Sequence, residues 1–145
     1  MDALQTSYSE THAPYVEGMI ANSEKSNIVS RVVETAAGIG FGKVAVRGTA
    51  DNQIKVAEAD AAYLGITVRD TTQLQDSYLQ YGTAAVMTKG VIVVQASVAV
   101  AQGDAVHFVP ATGVLTNVAT GNTAIPGATW DSSTSGAGLA KLRLG

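Results

Sequence analysis

From Gly90 to Trp130 the chain runs for 41 residues, GVIVVQASVAVAQGDAVHFVPATGVLTNVATGNTAIPGATW, and carries one formal charge, Asp104. About a quarter of the residues in a soluble domain are usually charged, and only 14% are in this whole chain. The run is also its most strand-like part. Long, flat, uncharged strands are a liability for a lone monomer, because their edges pair with other chains. A chain that keeps such a surface meets protein on it. The sequence points to assembly before it points to catalysis.

Turn chemistry divides the run. Gln102–Asp104, Pro110–Gly113 and Thr120–Thr123 break it into about four short strands. Pro110 presets φ and Gly113 supplies the left-handed position of a tight hairpin. Before the first break, Ile92, Val94, Ala96, Val98 and Val100 hold one parity. The other parity drifts from Val91 and Val93 to Gln95 and Ser97, so that face passes from covered to wet. Elsewhere, Asn27–Glu34, Phe41–Arg47, Gln53–Ala57 and Ala62–Arg69 read as strands, and Val44 and Val46 mark Phe41–Arg47 as half-buried. Ala84–Thr88 and Gly90–Gln95 are expected to pair as a hairpin across Lys89–Gly90. Ala128–Asp131 reads as a short strand, and Leu139–Leu144 closes the chain with Leu142 and Leu144 opposite Lys141 and Arg143. The count is about nine or ten short strands with no long helix, an all-β sandwich or barrel.

At 145 residues the chain fits one domain, able to bury roughly two-thirds of its unfolded surface. Charge divides it unevenly. Asp2, Glu10, Glu17 and Glu24 precede the first basic residue, Lys25, whereas the rest of the chain is nearly balanced. Residues 1–26 therefore read as an extended acidic N-terminal arm, and 27–145 as a single β domain. The arm carries Tyr8, Tyr15, Val16, Met19 and Ile20 without a helical or strand period. Tyr and Met are enriched at protein interfaces, so the arm either docks on a neighbour or packs on its own barrel. The absence of cysteine fits synthesis in a reducing compartment. MDALQTSYSE has no signal-peptide pattern, and no apolar stretch reaches the roughly 20 residues a membrane span needs. A net charge of −3 opposes nucleic-acid binding. The expectation is a cytosol-made protein with no membrane and no direct nucleic-acid partner.

The chemical constellations are weak. Gly38–Gly42 (GIGFG) lacks the lysine and hydroxyl of a phosphate loop and reads as a strand-end bend. His12 and His107 have no convergent set of ligands, so no metal is expected. Ser132–Ser135 lacks a nucleophile elbow. The carboxylate pairs Glu58 with Asp60 and Asp70 with Asp76 sit beside turns, where acidic groups are ordinarily solvated. No catalytic residue, cofactor or metal is assigned.

Pro14–Ala21 (PYVEGMIA), Ile28–Gly42 (IVSRVVETAAGIGFG), Gly65–Thr72 (GITVRDTT), Ala84–Val94 (AAVMTKGVIVV), Gly103–Leu115 (GDAVHFVPATGVL), Gly121–Trp130 (GNTAIPGATW) and Leu139–Leu144 resemble, in order, the capsid cement or decoration proteins of tailed bacteriophages. The resemblance implies a jelly-roll-like or barrel domain on the outside of an icosahedral shell. It implies a non-enzymatic virion protein, made in the host bacterial cytoplasm, that bridges major capsid protein subunits as a homodimer or other small homo-oligomer. The residues expected at a capsid or self interface are Tyr8, Tyr15, Val16, Met19, Ile20, Tyr78, Tyr81 and Trp130. Deleting residues 1–24 should leave the β domain folded and weaken shell binding. One alternative is another virion component, a head–tail adaptor or a glycan-binding fibre-like module, which requires an exposed aromatic platform built from Trp130, Tyr78 and Tyr81. A small trimeric nucleotide hydrolase is the other.

Overall fold

The computed structural model describes residues 16–59 and 61–145. Among them lie eleven strands: β1 (Asn27–Val33), β2 (Ile39–Gly40), β3 (Val44–Arg47), β4 (Gln53–Val56), β5 (Tyr63–Thr67), β6 (Ser77–Tyr78), β7 (Thr83–Ala96), β8 (Ala105–Phe108), β9 (Leu115–Thr116), β10 (Thr123–Trp130) and β11 (Gly138–Leu144). None of the described residues is helical. The all-β barrel expectation holds. The extra strands are two-residue pieces, too short to show an alternation in sequence.

Nine strands pair in the order β1-β4-β3-β5-β7-β11-β10-β8-β9, and additional β1–β7 and β7–β9 pairings close the sheet on itself twice. β1, β4, β3, β5 and the first half of β7 form one ring. The second half of β7 with β11, β10, β8 and β9 forms the other. Closure removes most free edges, which is how an uncharged strand set avoids uncontrolled pairing.

The expected hairpin across Lys89–Gly90 does not form. Thr83–Ala96 is a single 14-residue strand, whose first part pairs with β1 and whose second pairs with β11. Gly90 sits at the junction with φ +127, and a Cβ there would lie 2.7 Å from the Ser26 Cβ. Glycine redirects the strand between rings without ending it. The short strand expected at Ala128–Asp131 is likewise the end of a longer one, β10, whose pairing with β8 is irregular between Ala124 and Thr129.

Two cores result. Val33, Ala45, Ile54, Ala84 and Val86 fill the first ring, joined by Ile39, Phe41 and Tyr78 from the β2–β6 pair and its flank. The larger core joins Ile92, Val94, Phe108, Leu115, Trp130 and Leu142 to Val44, Val46, Ile66 and Met87. β3 therefore corrects the half-buried reading: Ala45 points into one core while Val44 and Val46 point into the other. Its alternation separates two interiors rather than core from water. Thr67, fully buried on β5, donates its hydroxyl to the Gly40 carbonyl (2.6 Å) and accepts the Lys43 N–H (3.0 Å), fixing the β2–β6 pair to the ring without an unmet polar group.

Candidate docking surface

Residues 17–24 lie along β7 as a strap. Gly18 N–H donates to the Val93 carbonyl (2.8 Å), Val93 N–H to Met19 (2.9 Å) and Ala21 N–H to Val91 (3.0 Å), around an Ile20–Ile92 bridge. The strap also reaches the first ring, where Arg69 donates from its backbone N–H to the Gly18 carbonyl and from Nε to the Glu17 carbonyl. Glu17 pairs with Lys43 at 2.7 Å. Glu24 accepts both terminal nitrogens of Arg143 at 2.5 and 3.0 Å, and Asp131 stands 3.4 Å away. These carboxylates, Glu24 foremost, raise the guanidinium above its ordinary pKa. The acidic residues of this segment thus have basic partners in their own chain. Of its apolar residues, Val16 is 45% and Ile20 41% exposed, and Met19 is half-buried. Tyr8, Tyr15, His12 and Asp60 lie outside the described residues.

Tyr78 and Trp130 are placed inside. Tyr78 packs edge-on against Phe41, with ring centroids 5.0 Å apart, and donates its hydroxyl to the Val68 carbonyl. Trp130 is fully buried in the larger core. Neither side chain is available to a partner from the surface, and the three-ring platform expected of a glycan module is not assembled. Trp130 shares the inward parity of Ala128, and Tyr78 is anchored by the two-residue strand β6.

Tyr81 remains at the surface, 72% exposed, with Leu79 beside it at 54% and Leu74, earlier in the same excursion, at 87%. Gly82 N–H donates to the Leu79 carbonyl and Tyr81 N–H to Val33, so the turn is tied to the end of β1. Tyr81 has φ 64, the left-handed region, and is the one non-glycine residue there among the described residues. A bulky side chain in that conformation is strained, and such strain gathers at functional sites. Nothing in the sequence signals it, since tyrosine is not a left-handed residue by preference.

The grooves run from about 230 to about 350 Å³. One of about 280 Å³ lies between Glu17, Gly42, Gln95, Ser97 and Val114, and one of about 230 Å³ between Ile39, Val44, Val56, Ala57 and Gly113. Two more open ones, about 350 Å³ beside Ser30, Arg69 and Tyr78 and about 310 Å³ beside Glu24, Lys89 and Arg143, reach only the low end of the range of drug-sized ligand pockets, which starts at about 300 Å³. Among the described residues no group of three His, Cys, Asp or Glu is placed to hold a metal ion. Asp104, the lone charge of the long run, accepts the Ala101 N–H (2.9 Å) and an Asn117 Nδ2–H (2.8 Å). Those bonds, Asn117 first, lower its pKa and make it a turn lock.

The fold has a close counterpart among solved structures. A chain from the capsid of Myoviridae phage XM1 superposes with a TM-score of 0.80 at 18% identity, over 98% of this chain and 97% of that one. No curated protein sequence matches. Residues 4–145 match the family model of the phage structural cement protein (E217 gp24/Pam3 gp6). The chain belongs to this structural cement family, and its role is that of a structural component of the phage virion.

Proposed function

We propose that the protein binds the outside of an icosahedral phage capsid, bridges neighbouring major capsid protein subunits and stabilises the shell without catalysing a reaction. The family match over residues 4–145 carries this reading. The surface supports it: Leu74, Leu79 and Tyr81 are exposed on one excursion, and Val98, Val114 and Val118 lie exposed on the second ring. Small apolar and hydroxyl side chains lose little conformational entropy on docking. Binding an assembled lattice more tightly than free subunits stabilises that lattice by mass action, and contacts repeated within one particle add through effective concentration. Val16, Met19, Ile20 and Tyr81 are the contact residues proposed from the described part of the chain, with Tyr8 and Tyr15 in the segment before it.

The test is co-sedimentation of the purified chain with mature, expanded shells lacking it and with free capsid protein. Saturable binding to shells, exceeding that to free subunits, is expected. Equal binding to both, or none to shells, overturns the proposal.

A further inference from the structure

Bridging two subunits takes two separate contact surfaces, and β7 holds two apart. The exposed turn of Leu79 and Tyr81 leads into its first residue, Thr83, and residues 97–104 follow its last, Ala96. At about 3.3 Å per residue the 14-residue strand traces a path of roughly 40 Å, redirected once at Gly90. β9 runs parallel to the end of β7, and β11 runs antiparallel to it. Asn117, after β9, and residues 131–137, before β11, therefore come to the same end as residues 97–104. Side chains tie these loops into a cap. Asn117 Nδ2 donates to the Ala99 carbonyl (3.3 Å) and to Asp104 (2.8 Å), and Gln102 N–H donates to Ser133 Oγ (3.0 Å). Thr134 N–H donates to the Val100 carbonyl (2.9 Å), and its Oγ1 accepts the Val100 N–H (3.2 Å). Loops held in this way are ordered before a partner arrives, which lowers the entropy lost on docking.

The cap has no free charge. From Val91 to Ala140 there is no Lys, Arg or Glu. Its two acidic residues are engaged within the chain, Asp104 by Asn117 and Asp131 by Arg143. Val98 is nevertheless 37% exposed and Val118 48%, with Ala99, Ala101 and Gln102 exposed beside them. Loops that meet only water ordinarily carry charges of both signs. A surface without them gives up no ion hydration when it is covered, and it fits a partner surface that is itself poor in charge. We infer that this cap is a second docking site, which takes one major capsid protein subunit through an uncharged surface while the Tyr81 turn, at the opposite end of β7, meets the neighbouring subunit. Each chain is then a two-ended clamp. Once one end is seated, the other is held within roughly 40 Å of its own site, so the second contact forms at high effective concentration. The inference rests on the cementing reading and adds to it the surface used and the direction of bridging along β7.

The test titrates the full-length chain and two variants, Gln102→Lys and Gln102→Glu, onto mature shells lacking it. Gln102 is exposed and enters the cap through its backbone N–H, so its side chain can change with the loops intact. Gly103 N–H donates to the Trp130 carbonyl (2.8 Å), and unchanged Trp130 emission marks a cap that is still folded. Burying an unpaired charge of either sign in an uncharged contact is costly, so both variants should bind shells about tenfold or more weaker than wild type. The chain has no cysteine, so a benzophenone carried on Ala101→Cys reads the partner directly, and it should cross-link to the capsid protein on illumination. A folded variant of either sign that loses less than this overturns the inference, because the cap then meets solvent or a charged partner. So does a cross-link to another copy of the chain, or none to the capsid protein. In those cases wild-type binding to shells is intact and the cementing reading stands; a wild-type chain that does not bind shells removes both.

Discussion

Gly18 and Gly42 meet backbone to backbone, both in the left-handed region at φ +85 and +70. A Cβ on Gly18 would lie 2.9 Å from the Gly42 nitrogen, and one on Gly42 would lie 2.8 Å from the Gly18 nitrogen. This contact seats the strap on the first ring, while the Val91 and Val93 bonds seat it on the second. The strap therefore stitches the two rings along the edge of β7 that β1 leaves open.

Gly18→Ala is expected to destabilise the fold by about 2 kcal/mol or more, combining left-handed strain with overpacking against backbone. Urea unfolding checks this. A midpoint within error of wild type would show that the strap is not seated as described.

Truncation should divide the N-terminal region in two. Removing residues 1–15 leaves the strap's bonds to Val91, Val93 and Arg69 in place, so the melting temperature stays near that of the full chain. Removing residues 1–24 exposes the β7 edge and the buried Val91 and Val93, and should lower it by several degrees. The β domain is still expected to fold without residues 1–24, at that lower melting temperature. Thermal melts of both truncations make the comparison.

Tyr81→Asn separates stability from docking. Asparagine tolerates the left-handed region better than a bulky residue, so the free protein should match wild type or gain up to about 1 kcal/mol. Occupancy on shells should fall, because the exposed ring is lost. A variant that binds as wild type would remove Tyr81 from the contact surface.

Burial pushes the Tyr63 phenol well above its ordinary value of 10.0, and its hydroxyl has no hydrogen-bond partner among the described residues. The folded state holds this proton more tightly than the unfolded one. Its contribution is thus fully present below pH 10 and is lost as pH rises above it. Denaturant midpoints measured from pH 8 to 11 should decline at the alkaline end, and less steeply in Tyr63→Phe.

Local chemistry made much of this fold legible. The Pro110–Gly113 reversal is present, with Gly113 at φ +77 and its N–H donating to Val109 at 2.7 Å. Leu142 and Leu144 point inward and Lys141 and Arg143 outward, as their parity indicates. Non-local features escaped. Gly90 resembles a turn residue because the same conformational freedom serves a hairpin and a mid-strand junction. The strap has no period because its residues pair with two rings at once. Trp130 and Tyr78 were misplaced for a different reason: aromatic rings suit cores and interfaces equally, and only the partners that three-dimensional packing brings to them decide which.

The most direct measurement of the central claim is the temperature at which mature shells lacking the protein disassemble, followed by light scattering as the purified chain is titrated in. A saturable rise in that temperature, reaching its plateau with full occupancy, is the predicted result. Shells that bind the chain to saturation yet disassemble at an unchanged temperature would contradict cementing.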